Sequence, residues 1–224
     1  MVIRQRAVLA EDKQERHHAI LDAAERLLGR SPERVASVAE VADAAGLAKG
    51  TVYLYFPSKE ELLLAVHERH ADEFFAVLVQ RLANPDTITL DEMMRMTRTH
   101  MLDRPTFLPL ATRCLGLMAT EVPAETAAAF QQRMAERMQA AGAGLERHFP
   151  ELPLGGGVRL LRRSFALIVG LWQMSWSDAR SEAASCRLRP EEFPQELAAA
   201  LTALWEGTVG RSLRIPGAAA GGVR

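Results

Sequence analysis

The sequence predicts an all-α protein: a small three-helix N-terminal unit that ends in a helix-turn-helix, followed by a helical bundle. Three observations predict it. The chain is 48% hydrophobic but only 6% aromatic, rich in Ala and Leu, with few β-branched runs. Its apolar residues recur at threes and fours, the period of a helix with one buried face. Each periodic segment is bounded by a proline, a glycine or a Ser/Thr cap. The 224 residues suit one large or two modest domains, with ample material for a core.

Residues 13–29 carry Ile20, Ala23, Ala24, Leu27 and Leu28 as one stripe, and Ser31-Pro32 ends it. Ser37 and Glu40 form a capping box for a short helix whose apolar face is Val38, Val41, Ala42 and Ala45. Gly46 stops that helix, because glycine enters the left-handed region without steric cost. A further short helix runs from about Ala48 to Tyr55, and Pro57 breaks it. Ser58 with Glu61 opens a longer helix, 58–83, that buries Leu62, Leu63, Val66, Phe74 and Leu78, and Asn84-Pro85 ends it. Thr89 with Glu92 caps the next, with Leu90, Met93, Met94, Thr97 and Met101 on one face, up to Arg104-Pro105. Helices over 106–120, from Ala127 through Leu145, over 158–178 and over 195–209 complete the set. The organisation read from these breaks is an N-terminal domain at 1–70, a C-terminal domain at 85–212, and a disordered tail, 213–224.

Charge names no partner: the formal net charge is −1. Residues 1–70 hold ten Lys/Arg against eleven Asp/Glu, so any nucleic-acid argument rests on where the charges sit. Cys114 and Cys186 are far apart with no CxxC or Cys/His cluster, which suits free thiols in a reducing, cytoplasmic compartment and no zinc. The start shows no apolar export segment, and the run at 165–176 is too short to span a membrane. No membrane partner, cofactor or metal is expected.

The chain's two tyrosines, Tyr53 and Tyr55, both fall in the stretch AGLAKGTVYLYFPSKEEL, 45–62, between Lys49 and Lys59. The second helix of a helix-turn-helix presents its N-terminal residues to base edges in the major groove. Here that helix carries Lys49, a donor to guanine or phosphate, and Gly50, which lets the backbone approach closely. Thr51 can meet a thymine methyl or a base edge, and the Tyr53 and Tyr55 hydroxyls are phosphate donors. Lys59 works against its own helix dipole but helps beside a phosphate. Set against this, the tyrosines could simply pack the small domain while the lysines are solvated.

Residues 16–69 resemble the N-terminal domain of the TetR family of bacterial transcriptional regulators. AILDAAERLL (19–28) and SVAEVADAAGLAKGTVYLYFPSKEELLLAV (37–66) carry the likeness. The resemblance implies an all-α homodimer with the third helix of each copy in one half-site of a double-stranded DNA operator. It also implies a C-terminal domain that dimerises and encloses a small-molecule effector. On this pattern Lys49, Thr51 and Tyr53 face DNA, Tyr55 and Lys59 serve the backbone contact, and Ser37 meets a phosphate. Two departures bear on docking. Ala48 stands where Ser or Thr is common, and the loop GRSPERVA lacks the usual Gly-aromatic pair.

Eight of the nine methionines lie between 93 and 174, and methionine suits surfaces that adapt to varied apolar partners. Met118 and Met134, with Phe107, Phe130, Phe165 and Trp172, are candidate pocket residues, with His100 and Arg113 as polar anchors for an amphipathic or hydrophobic effector. An ordinary core accounts for the same pattern. Small Ala198, Ala199, Ala200 and Ala203 beside Leu197, Leu201 and Leu204 suit either a core or the family's two-fold four-helix interface.

Three rival functions compete with this one. An enzyme would need a paired acid–base or nucleophilic set, and no HExxH, GxSxG or P-loop occurs. A metal-responsive regulator could use His67 and His70 with Asp72 and Glu73, although solvated histidines are the simpler expectation. A protein-binding adaptor would leave the lysines and tyrosines of 45–62 without a role.

Overall fold

The structure, a computed structural model, describes residues 2–31, 34–176 and 188–210, with side chains from residue 12 and without that of Trp176. The described residues form helices and no strand. In chain order these are α1 (Val2–Arg30), α2 (Val38–Ala45), α3 (Lys49–Tyr55), α4 (Lys59–Ala83), α5 (Leu90–Thr97), α6 (Phe107–Thr120), α7 (Ala124–His148), α8 (Gly156–Trp176) and α9 (Phe193–Val209). The all-α reading is therefore correct. Cys186 and the tail from 213 lie outside the described residues.

The predicted caps form. Ser37 Oγ accepts from the Glu40 amide at 3.3 Å, and the Ser37 amide donates to Glu40 Oε2 at 2.8 Å. Ser58 Oγ accepts from the Glu61 amide at 3.1 Å, and Thr89 Oγ1 from that of Glu92 at 3.2 Å. Each satisfies a first-turn amide that the helix leaves without a partner. Boundaries shift where no breaker marks them. α1 begins at Val2, eleven residues before the expected start, because VIRQRAVLAED contains no proline or glycine. Beyond α5 the helix widens into a π-turn, Arg98–Leu102, where the Asp103 amide donates to Arg98 O at 2.9 Å.

The chain forms two compact units. One is Met1–Ala71 with Arg104–Gln131; the other is Asp72–Asp103 with Gln132–Arg224. The first therefore takes in α6 and the start of α7 as well as the three N-terminal helices. Its α1 and α4 are tied by charge: Arg69 donates to Asp22 Oδ1 at 2.5 Å and pairs with Glu25, and His70 Nε2 donates to Glu25 Oε1 at 2.8 Å. Those bonds hold the Glu25 carboxyl at about 2, the His70 hydrogen bond contributing most. The expectation of solvated histidines is wrong. His67 is 6% exposed and His70 is 0%. The i, i+3 spacing puts both on the inner face of α4, where Phe107 lies 5.6 Å from the His67 ring and 6.1 Å from that of His70.

In the second unit Arg81 staples the turn around Asn84-Pro85. Its Nε donates to Glu92 Oε1 at 2.6 Å, and its Nη1 and Nη2 donate to the Asp86 and Thr87 carbonyls at 3.1 Å each. α7 and α8 meet at two glycines: a Cβ on Gly157 would lie 2.1 Å from Gly142 O. α9 is held to α8 by Trp205 Nε1, which donates to Ser164 Oγ at 3.0 Å.

Candidate nucleic-acid interface

The turn between α2 and α3 is made by Gly46, whose φ of 68° is left-handed and whose amide donates to Asp43 O at 3.2 Å. The Leu47 amide donates to Ala42 O at 2.9 Å, so two carbonyls of the last turn of α2 are used. α3 is then seated by its buried Val52 and by Phe56 just past its end. The Phe56 ring lies 5.0 Å and that of Tyr55 6.3 Å from His17 of α1.

With 52 and 56 inward, helical geometry sends 50, 53 and 54 outward together, while Lys49 is exposed as the first residue of the helix. Lys49, Gly50, Tyr53 and Leu54 are all exposed, and Lys49 Nζ stands 5.8 Å from the centre of the Tyr53 ring. Thr51 and Tyr55 are half-buried at the flanks. Lys59 is exposed and lies 3.4 Å from Glu60 Oε1. Ser37 is exposed, but its hydroxyl already donates to Glu40 Oε2 at 2.9 Å, so a phosphate would have to replace that bond.

Sequence reasoning missed two residues here. Arg34 reaches Glu40 beside the Ser37 cap and is exposed; with Ser37 it holds the Glu40 carboxyl at about 2. Leu54 is 83% exposed although apolar, and the alternation Tyr-Leu-Tyr could have pointed to it.

Ala48 occupies the N-cap of α3 and makes no side-chain capping bond. Ala48→Ser is therefore expected to raise stability by about 1 kcal/mol, read as a higher urea midpoint with an unchanged m-value.

The other candidate residues divide between the units. Phe107 and Phe130 are buried in the first, with the Phe130 ring 6.1 Å from that of His67. Arg113 is exposed there, at a depression of ≈ 240 Å³, open solvent included, lined also by Leu28, Thr106, Pro109 and Leu110. Met118 of the same unit is half-buried. In the second unit Met134, Phe165 and Trp172 are half-buried, and His100 sits on the π-turn with a buried, unpartnered Nδ1. Leu197 and Leu201 lie in the unit's own core, while Ala200 and Leu204 are half-buried. Cys114 is buried, its thiol 3.9 Å from Leu63 O and pushed up to about 12 by burial. No group of three or more His, Cys, Asp or Glu among the described residues is placed to hold a metal, and no described helix is long and apolar enough to cross a membrane.

Comparison with known proteins agrees with this geometry. The model of the bacterial regulatory proteins, tetR family, matches residues 20–66, and that of the tetracyclin repressor-like C-terminal domain matches 68–212. The HTH-type transcriptional regulator EthR of Mycobacterium tuberculosis is 37% identical over 81 residues, 36% of this chain and 38% of that protein. The fatty acid metabolism regulator protein of Bacillus subtilis is 31% identical over 64 residues, 29% of this chain and 33% of that one. The matches thus span little more than a third of these curated relatives. Two solved structures share the fold. PfmR from Thermus thermophilus has a TM-score of 0.50 at 19% identity, covering 83% of this chain and 96% of its own. A regulator from Mesorhizobium loti MAFF303099 has a TM-score of 0.52 at 18% identity, covering 87% and 96%. This family consists of transcriptional regulators, which sets the enzyme reading aside. With the helix-turn-helix matched at one end and more than half of the chain matched beyond it, the protein belongs to the TetR family of DNA-binding transcriptional regulators.

Proposed function

We propose that the protein is a cytoplasmic, ligand-responsive repressor that binds a palindromic operator as a homodimer. Each copy lays α3 in the major groove of one half-site. The observation that carries this reading is the outward face of α3. Gly50 is the telling residue: its φ is not positive, and a Cβ there would meet nothing within 4 Å. The fold has no use for a glycine at that position, and helices are weakened by one. Close approach of the backbone to a partner accounts for it. Lys49 and Tyr53 beside it supply a cation and a hydroxyl, with Thr51, Tyr55, Lys59 and Ser37 as flanking contacts.

The described residues favour a dimer face on the outer sides of α8 and α9. Gly170 and Gly207 have open space where a side chain would stand, and Phe165, Leu171 and Trp172 are only half-buried within one copy. Leu197 and Leu201 then brace the interface from inside, and Ala200 and Leu204 touch it. For the effector, the unpartnered Nδ1 of His100 is a better anchor than the exposed Arg113. Its π-turn is a geometry frequent at functional sites. The methionines and aromatics concentrated between 93 and 174 suit an amphipathic or hydrophobic molecule. Residues 1–70 act at DNA and 85–212 bind effector and partner copy; α4 carries the coupling. The effector works by population shift and must bind the operator-bound form less well than the free form. Equal binding to both would end this mechanism.

The test is selection from a random duplex library, beside a Lys49→Ala, Tyr53→Ala double variant. The wild type is expected to enrich a two-fold symmetric sequence. The variant should lose it, and its salt dependence should flatten by about one unit of log–log slope per lost phosphate contact. No enrichment at low salt would overturn the reading in favour of a protein-binding adaptor.

A further inference from the structure

We infer that Leu54 is a sequence-reading residue that packs against a thymine methyl in the major groove; the inference rests on α3 being the recognition helix. Leu54 is 83% exposed, against 0% for Val52 two residues earlier on the same helix. The N-terminal unit therefore makes no use of its side chain. On this seven-residue helix the leucine side chain is free to meet a partner.

Chemistry narrows what can cover it. The isobutyl group neither donates nor accepts a hydrogen bond, so it does not serve a phosphate. On the major-groove edges of the four base pairs the apolar feature is the C5 methyl of thymine. Position 54 shares its outward face with Gly50 and adjoins Tyr53, and α3 opens on Lys49 and contains no acidic residue. An apolar side chain beside a phenol and a bare glycine, on a helix that opens on a cation and carries no negative charge, fits a DNA groove. The bare Gly50 lets the helix sink far enough for a short side chain to reach the base edge. Tyr53 and Lys49 then hold the register, while Leu54 discriminates.

The experiment uses the duplex that the full-length protein enriches from a random library. Each thymine is replaced in turn by deoxyuridine, which pairs identically but lacks the methyl. Wild-type affinity is expected to fall roughly fourfold when the methyl is removed from one half-site, and about fifteenfold when it is removed from both, the worth of burying one methyl group each time. In Leu54→Ala the same replacement should have no effect, while deoxyuridine at other positions acts alike on both proteins. Circular dichroism of Leu54→Ala should match the wild type, since the side chain is exposed. A duplex without a methyl-sensitive thymine, or one equally methyl-sensitive in Leu54→Ala, overturns this inference but leaves DNA binding standing. Failure to enrich any duplex overturns the recognition-helix reading as well.

Discussion

Gly157→Ala is expected to cost about 3 kcal/mol or more, at the upper end of overpacking effects. The added Cβ would lie 2.1 Å from Gly142 O, 2.7 Å from Gly142 C and 2.8 Å from Gly142 Cα, all backbone atoms that no rotamer change can move. α7 and α8 would have to separate. That would also pull Glu146 Oε1 from the Gly157 amide it accepts at 3.1 Å, a bond that satisfies one of the free amides at the start of α8. For a chain of this size the change corresponds to a loss of roughly 6–12 °C in melting temperature. Gly142→Ala should act likewise, since its Cβ would stand 2.7 Å from the Val158 amide nitrogen. Gly116→Ala is the control. It lies in α6 with open space around it, and should be neutral or gain up to about 1 kcal/mol. Thermal scans of the three variants check the set. A Gly157→Ala protein that melts with the wild type would show that the two helices do not cross at this distance.

The second large effect is on acid stability. Burial holds His67 at about 4, well below its ordinary 6.5; the neighbouring His70 charge adds to the shift and Glu68 opposes it. The unfolded chain therefore takes up a proton that the folded chain refuses. Stability is complete above pH 6.5, falls between 6.5 and 4, and has lost this contribution below 4. The slope is about 1.4 kcal/mol per pH unit, so roughly 2 kcal/mol disappears between pH 7 and pH 5 and about 3 kcal/mol in all. His17, lowered chiefly by burial, acts in the same direction. Glu25, held at about 2 against 4.5, adds a separate loss as pH falls through that lower window. His67→Phe keeps a ring among Phe107 and Phe130 but cannot be protonated. Urea titrations at pH 7 and pH 5 should show the variant losing much less stability than the wild type. Parallel losses would assign the acid sensitivity to other groups.

The helices, most of their stops and the helix-turn-helix are legible in the order of residues alone. Ser37–Glu40, Ser58–Glu61, Thr89–Glu92 and Gly46 act within three or four residues, so their chemistry does not depend on the rest of the fold. The bare N-cap at Ala48 was legible for the same reason. Where no local signal exists, as at the start of α1 or the π-turn at Arg98–Leu102, the reading missed the boundary.

Tertiary packing settles which face meets what. The spacing of His67 and His70 showed that they share a side of α4, but not that Phe107, from an element forty residues away in the chain, would close over it. It decided that α6 belongs with the N-terminal helices, that Leu197 and Leu201 fill their own unit's core, and that Leu54 is left to solvent. Periodicity records that residues lie together on a helix. Burial depends on what packs against them, and those partners come from distant parts of the chain.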